Sequence, residues 1–200
     1  MTLDALHFDV LNAALPKAQR FAIAFSGGGD STALVHSLRG WLPKPLILIV
    51  DHGLRVGSSA EVAAAQNFAQ QLGLEAVVLK WAHDNPVSGL QEKARTARYG
   101  LLGQACLEAG VSTLLTGHTE DDQAETLLMR YDRRTDWRGA AGIAVSAYAP
   151  IWPQLVGVTL IRPLLRATRE GLREYNRQHG LQWTEDPSNA NRDFSRIKAR

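Results

Sequence analysis

Short apolar runs alternate with longer amphipathic stretches along this chain. Residues 21–25, 45–50, 75–81 and 112–116 are brief and either uniformly apolar or alternating, the pattern of buried and half-buried strands. Between and after them, apolar positions predict helices over about 30–38, 58–72, 89–109, 119–131 and 168–179. Residues 3–15 read as a further helix ahead of the first strand. Ser58 or Ser59 is expected to cap the helix that starts there, with Gly73 as its stop. Strands that alternate with helices need crossover connections. The expected fold class is therefore α/β, a doubly wound parallel sheet of Rossmann-like type with helices on both faces. In the strand order common to such sheets the first and fourth strands are neighbours. Ligands bind beyond the carboxyl ends of the strands, where the order reverses.

One stretch departs from this rhythm. Residues 139–161 carry no charge and are long enough to cross a bilayer. Pro150 and Pro153 would break a helix there, and Gly139, Gly142, Gly157 and Gln154 lower its apolar character. It is read as a buried, turn-rich insertion and not as a membrane span.

Composition narrows the class. A 200-residue chain with 45% hydrophobic and 21% charged residues has ordinary globular make-up and can bury a core without staples. The single cysteine, Cys106, excludes an internal disulfide framework and any multi-cysteine metal site. The first ten residues hold Asp4 and Asp9 and no basic run before an apolar stretch, so a cytoplasmic protein is expected. The net charge of +2 is unevenly distributed. Residues 161–200 hold nine Lys/Arg against five Asp/Glu, and the rest is slightly acidic. The basic end suits a polyanion, although a solvated helix face has the same composition.

Candidate chemistry gathers after the strands. The first is followed by Ser26-Gly27-Gly28-Gly29-Asp30-Ser31-Thr32 and then a helix. Successive glycines let the backbone approach a ligand, and the helix start offers unpaired N–H groups and a positive dipole end, which together make a phosphate site. The run lacks the lysine of a Walker loop and the spacing of a dinucleotide fingerprint. Asp30 among phosphate donors makes best sense with a bridging Mg²⁺. Asp51-His52-Gly53 follows the second strand, as an adenosine contact or as a simple turn. After the fourth strand comes Thr116-Gly117-His118-Thr119-Glu120-Asp121-Asp122-Gln123-Ala124-Glu125-Thr126. Asp122 and Glu125 share a helix face, where they can hold Mg²⁺, bind an ammonium group or take a proton from it. Acids at a helix start are also good dipole partners.

The glycine loop resembles the pyrophosphate loop of the N-type ATP pyrophosphatases, the PP-loop superfamily. With the Gly117–Thr126 run, the Ala94-Arg95-Thr96-Ala97-Arg98-Tyr99 helix, Arg162-Pro163-Leu164-Leu165, Tyr175, the Trp183–Asn189 segment and Arg196, the chain resembles the tRNA(Ile)-lysidine synthetase family. Two features depart from that family. His118-Thr119 stands where it usually has His-His, and Arg133-Arg134-Thr135-Asp136-Trp137-Arg138-Gly139 replaces its Arg-Gly-Ser-Gly.

The resemblance implies a PP-loop ATPase fold and an ATP-dependent ligase. Such an enzyme adenylates the wobble cytidine of tRNA(Ile) bearing a CAU anticodon. It then joins free L-lysine to C2, giving lysidine, AMP and pyrophosphate. It further implies that Ser26, Gly27, Gly28, Gly29, Asp30, Ser31, Asp51 and His52 meet ATP, with Asp30 on Mg²⁺. Arg98 would face the leaving pyrophosphate. Asp122 and Glu125, oriented by His118, would bind and deprotonate lysine. Arg192, Arg196, Lys198 and Arg200 would meet tRNA. Tyr131 and Trp137 lie near the active loop, where packing is a simpler role for each than base stacking. Residues 1–200 are expected to form one catalytic domain, with a core over about 19–160 and a basic helical extension over about 161–200. The family's C-terminal tRNA-gripping domains are absent from it, so a shortened or a compact member is expected. The rival is another PP-loop tRNA-modifying or amidating enzyme, such as a thiolase; the lone Cys106 counts against a thiolase. A nucleotide sensor without catalysis would not need the acidic helix.

Overall fold

The computed structural model describes residues 19–54, 57–83, 89–132, 142–151 and 153–185. Several expectations fall outside these residues: the helix over 3–15, the loop over 133–139 with Trp137, the Tyr131 side chain, residues 186–189, and the basic positions Arg192, Arg196, Lys198 and Arg200.

The elements run β1 (Ala22–Ala24), α1 (Gly29–Ser37), β2 (Leu46–Asp51), α2 (Ser58–Gln71), β3 (Glu75–Lys80), α3 (Leu90–Glu108), β4 (Thr113–Leu115), α4 (Glu120–Asp132), β5 (Ser146–Tyr148), β6 (Thr159–Ile161) and α5 (Arg169–Gln178). The sheet order is β3-β2-β1-β4-β6-β5. All neighbours are parallel except β5 and β6. The strand order reverses at β1, between β2 and β4, as expected of a doubly wound sheet.

Each central strand is buried on both faces, so its side chains divide by twos between two cores. On one face Phe21, Ile23 and Phe25 join Ile47, Ile49, Leu34, Val35 and Leu38. On the other, Ala22, Leu46 and Leu48 pack against Tyr99, Leu102 and Cys106 of α3.

Four details differ from the expectation. The cap of α2 is Gly57, with φ of +99° and no side-chain cap bond, so Ser58 is already helical. The insertion over 139–161 supplies two strands, β5 and β6, that extend the sheet beyond β4. It is also not wholly buried, because Tyr148 on edge strand β5 is 71% exposed. Finally, the described part of the basic extension, up to residue 185, packs into the core: Leu164, Ala167, Leu172 and Tyr175 share one cluster with β1 and α1. No helix among the described residues is long and apolar enough to cross a membrane.

The stretch ahead of β6 is pressed hard onto α3. A Cβ at Gly103 would overlap the backbone carbonyl of Gln154. Gly103→Ala should therefore cost about 1–3 kcal/mol, as overpacking does. Gly40→Ala, where a Cβ meets nothing within 4 Å, should change stability little. Urea denaturation of the two variants checks the contrast.

Candidate active site

A cleft of about 1170 Å³ opens at the carboxyl ends of the strands, at the point where their order reverses. It gathers nearly all of the residues expected there: Ser26, Gly28, Gly29, Asp30, Ser31, Asp51, His52, Arg98, His118 and Asp122. Gly27 and Glu125 are not on its surface, and Glu125 is tied to it through Arg169.

The loop between β1 and α1 is knotted on its inner side. The Ser31 hydroxyl donates to the Gly28 carbonyl at 3.0 Å, accepts from Ser26 N–H at 3.3 Å and lies 3.1 Å from the Ser26 hydroxyl. Gly27 has φ of +77°, a conformation that favours glycine. Gly29 is glycine for a different reason: a Cβ there would stand 3.3 Å from the Trp183 ring. Gly117, after β4, lets the first turn of α1 come close, since its Cβ would meet Ser31 N at 3.2 Å. The first-turn N–H groups of α1 have no acceptor within the helix.

Asp30 sits in that first turn. Burial, with Asp122 and Asp121 adding to it, lifts its carboxyl to about 6 against the opposing pull of Arg169 and Arg173. Such a carboxylate gains from a cation beside it. Among the described residues no three His, Cys, Asp or Glu gather as a metal cage. Mg²⁺ needs only one or two carboxylates when phosphate oxygens supply the rest, and Asp30 fits that requirement.

The acidic helix starts in a capping box. Thr119, fully buried, donates both N–H and hydroxyl to Asp122 Oδ2 at 2.8 Å. The threonine that departs from the family's usual histidine is thus the cap of α4. Burial acts to raise the Asp122 carboxyl, but Thr119 and Arg169 outweigh it and hold it below its usual range.

Sequence reasoning missed the residue that joins these parts. Arg169 donates to Asp122 Oδ1 at 2.7 Å and to Glu125 Oε1 at 2.8 Å, and its Nε lies 3.7 Å from Asp30. Its backbone N–H donates to Asp121 at 2.8 Å. A signal was available. An arginine at the first position of a helix opposes the helix dipole, so it needs acids nearby. Asn176, Trp183 and Thr184 were also unassigned, and all three touch the glycine loop.

Two histidines line the cleft. Burial, reinforced by Arg162, pushes His118 down to about 4, so its ring is neutral at pH 7. Its Nδ1 shares a hydrogen bond with the Thr116 hydroxyl at 2.8 Å. Burial and then Arg98 also lower His52, whose Nδ1 is buried with no hydrogen-bond partner among the described residues. Asp51 accepts the Gly53 N–H at 3.0 Å and so closes the turn. Arg98 lies over the Tyr99 ring, 5.0 Å from its centroid, and lines the cleft from α3.

Comparison with known proteins agrees with this geometry. The tRNA(Ile)-lysidine synthase of Ruegeria pomeroyi is 46% identical over 186 residues, covering 91% of this chain and 43% of that protein. The tRNA(Ile)-lysidine synthase of Hyphomonas neptunium is 40% identical, covering 89% of this chain and 49% of that protein. The chain therefore spans less than half the length of each. The structure of the U34-tRNA thiolase NcsA from Methanococcus maripaludis, with its 4Fe-4S cluster, superposes with a TM-score of 0.76 at 18% identity, covering 92% of this chain and 65% of that one. That likeness is one of fold. Residues 4–200 match the PP-loop domain. With its glycine loop at the turning point of the sheet and a match over nearly its whole length, the chain belongs to the PP-loop domain family.

Proposed function

We propose that this chain carries out the ATP-dependent joining of free L-lysine to C2 of the wobble cytidine of tRNA(Ile). The observation that carries the reading is the acid pair opposite the glycine loop: Asp122 and Glu125 together hold a cationic side chain, here Arg169. An ammonium group has the same charge and hydrogen-bond donors. The tRNA(Ile)-lysidine synthase names of the relatives favour the same chemistry.

In this reading the ATP phosphates lie against the first turn of α1 and the Ser26 and Ser31 hydroxyls. His52, whose Nδ1 has no hydrogen-bond partner among the described residues, faces the nucleoside end with Asp51. The cytidine C2 oxygen attacks the α-phosphorus, and the bond to the β-phosphate breaks to release pyrophosphate. Arg98 balances the charge of that leaving group. Mg²⁺, when bound at Asp30, would screen the phosphate oxygens from the attacking oxygen. The lysine ε-ammonium, held at Asp122 with Glu125 behind it, passes one proton to a carboxylate of this pair; the neutral amine then attacks C2, the bond from C2 to the adenylated oxygen breaks, and AMP leaves. His118, neutral and fixed by Thr116, orients this acidic side of the cleft. Arg192, Arg196, Lys198 and Arg200 are the proposed tRNA phosphate contacts.

A thiolase reading is disfavoured by sulfur chemistry. Cys106 is the only cysteine of the chain, and burial pushes its thiol up to about 12, far from a reactive thiolate.

Incubation with ATP, Mg²⁺, lysine and the CAU-bearing tRNA(Ile) should release AMP and give lysidine on nucleoside mass spectrometry. AMP release that ignores lysine, or a product without lysine, would overturn the assignment. Asp30→Ala should abolish pyrophosphate release, whereas Glu125→Ala should mainly raise the lysine KM; equal loss of adenylation in both would break that division of roles.

The raised Asp30 carboxyl also makes a stability prediction. The folded state disfavours its charged form, so the penalty is absent below about pH 4 and complete above about pH 6. Asp30→Asn should therefore stabilise the ligand-free protein by about 1–3 kcal/mol at pH 7.5. The difference should fade by pH 4, as followed by thermal melts across that range.

A further inference from the structure

We propose that the stretch from Asn176 to Thr184 is a brace on the phosphate loop, with Asn176 as a positioning residue for the phosphates of ATP. The inference rests on the phosphate-binding reading of the loop.

Three contacts reach the loop from this stretch. Asn176 Nδ2 donates to the Gly29 carbonyl at 2.9 Å, across 147 positions of sequence. Thr184 N–H donates to the Gly27 carbonyl at 2.9 Å. The Trp183 ring lies against Gly29, so that a Cβ there would stand only 3.3 Å from it. The loop's own bonds hold the Gly28 carbonyl, through Ser31 Oγ and Thr32 N–H. All three glycine carbonyls are thus engaged by protein donors. An anion is repelled by carbonyl oxygens and attracted by N–H groups, so this arrangement favours phosphate.

Asn176 is a poor choice for packing alone. It is fully buried, and its Oδ1 has no hydrogen-bond partner among the described residues. A buried amide with one end unsatisfied costs stability that an apolar residue of the same size would not. Its satisfied end is the one that reaches the loop. Helix α5, which carries it, is anchored at its other end by Arg169 on the acidic helix. Helix α5 is thus tied to the acidic helix at one end and to the glycine loop near the other.

The test compares a ligand that has phosphates with one that lacks them. Asn176→Leu keeps the side-chain volume and removes the donor. ATP affinity, measured by calorimetry with Mg²⁺, should fall about fivefold, the scale of one hydrogen bond. Adenosine affinity, measured by saturation-transfer NMR, should stay within about twofold, and the melting temperature should hold or rise. A merely structural role would weaken both ligands together or lower the melting temperature without this split. Trp183→Leu should show the same split, and it serves if Asn176→Leu does not fold. Unchanged ATP affinity, or equal losses for ATP and adenosine, in a folded variant overturns the brace. If the wild-type protein binds ATP no better than adenosine, the phosphate reading of the loop fails, and the brace fails with it.

Discussion

One guanidinium holds the cleft together. Arg169 meets carboxylates from α1 and α4 while standing at the first position of α5, where the helix dipole disfavours a cation. Three acids in a partly buried cleft would repel one another, and at Asp30 the repulsion from Asp122 adds to the burial that raises its carboxyl. The arginine offsets both problems at once. Desolvated charges of this kind add little net stability as a set, but deleting the arginine would leave three acids uncompensated. The cluster therefore constrains geometry more than it stabilises the fold. It fixes the angle of α5, and through α5 the position of Asn176 against the loop.

The cleft has two sides of opposite sign. Acids of α1 and α4 line one part and Arg98 of α3 lines another, while His118 between them feels both Asp122 and the arginines Arg162, Arg98 and Arg95. Both lining histidines are held below their ordinary range, so neither brings a proton charge at neutral pH. The field inside is thus set by groups that keep their charge there. A ligand with an anionic part and a cationic part can satisfy both sides without a change in protonation.

The architecture was largely legible because its central strands are apolar on both faces and separated by helices with clear stops. The glycine loop and the acidic helix were legible because their residue types are costly unless they meet charge or a tight turn. The strands β5 and β6 were not. Each is three residues long, and the uncharged run that contains them shows no sustained alternation. Ser58 read as a cap because serine commonly is one, yet Gly57 reaches a backbone conformation that closes the turn without a side chain. Arg169 was hidden by sequence distance: its partners lie 44 and 47 positions away, and only the sheet order brings them together. Asn176 carried no local signal, because a polar residue in a charged helix looks solvent-facing until α5 is packed on α1.

Several glycines of this protein are defined by what occupies the space beside them. Gln154 fills the place of a side chain at Gly103, while Trp183 crowds that place at Gly29 and the Asp30–Ser31 backbone crowds it at Gly117. These positions are not equally locked. A smaller residue at 183 would open room at 29, so a side chain at 29 is accommodated most readily where 183 is smaller. The intruder at 103 is a main-chain carbonyl and at 117 a helix backbone, which no single substitution removes. Across descendants of this chain, a side chain at position 29 should therefore be found with a smaller residue at 183, whereas 103 and 117 should stay unchanged while the sheet keeps its present spacing.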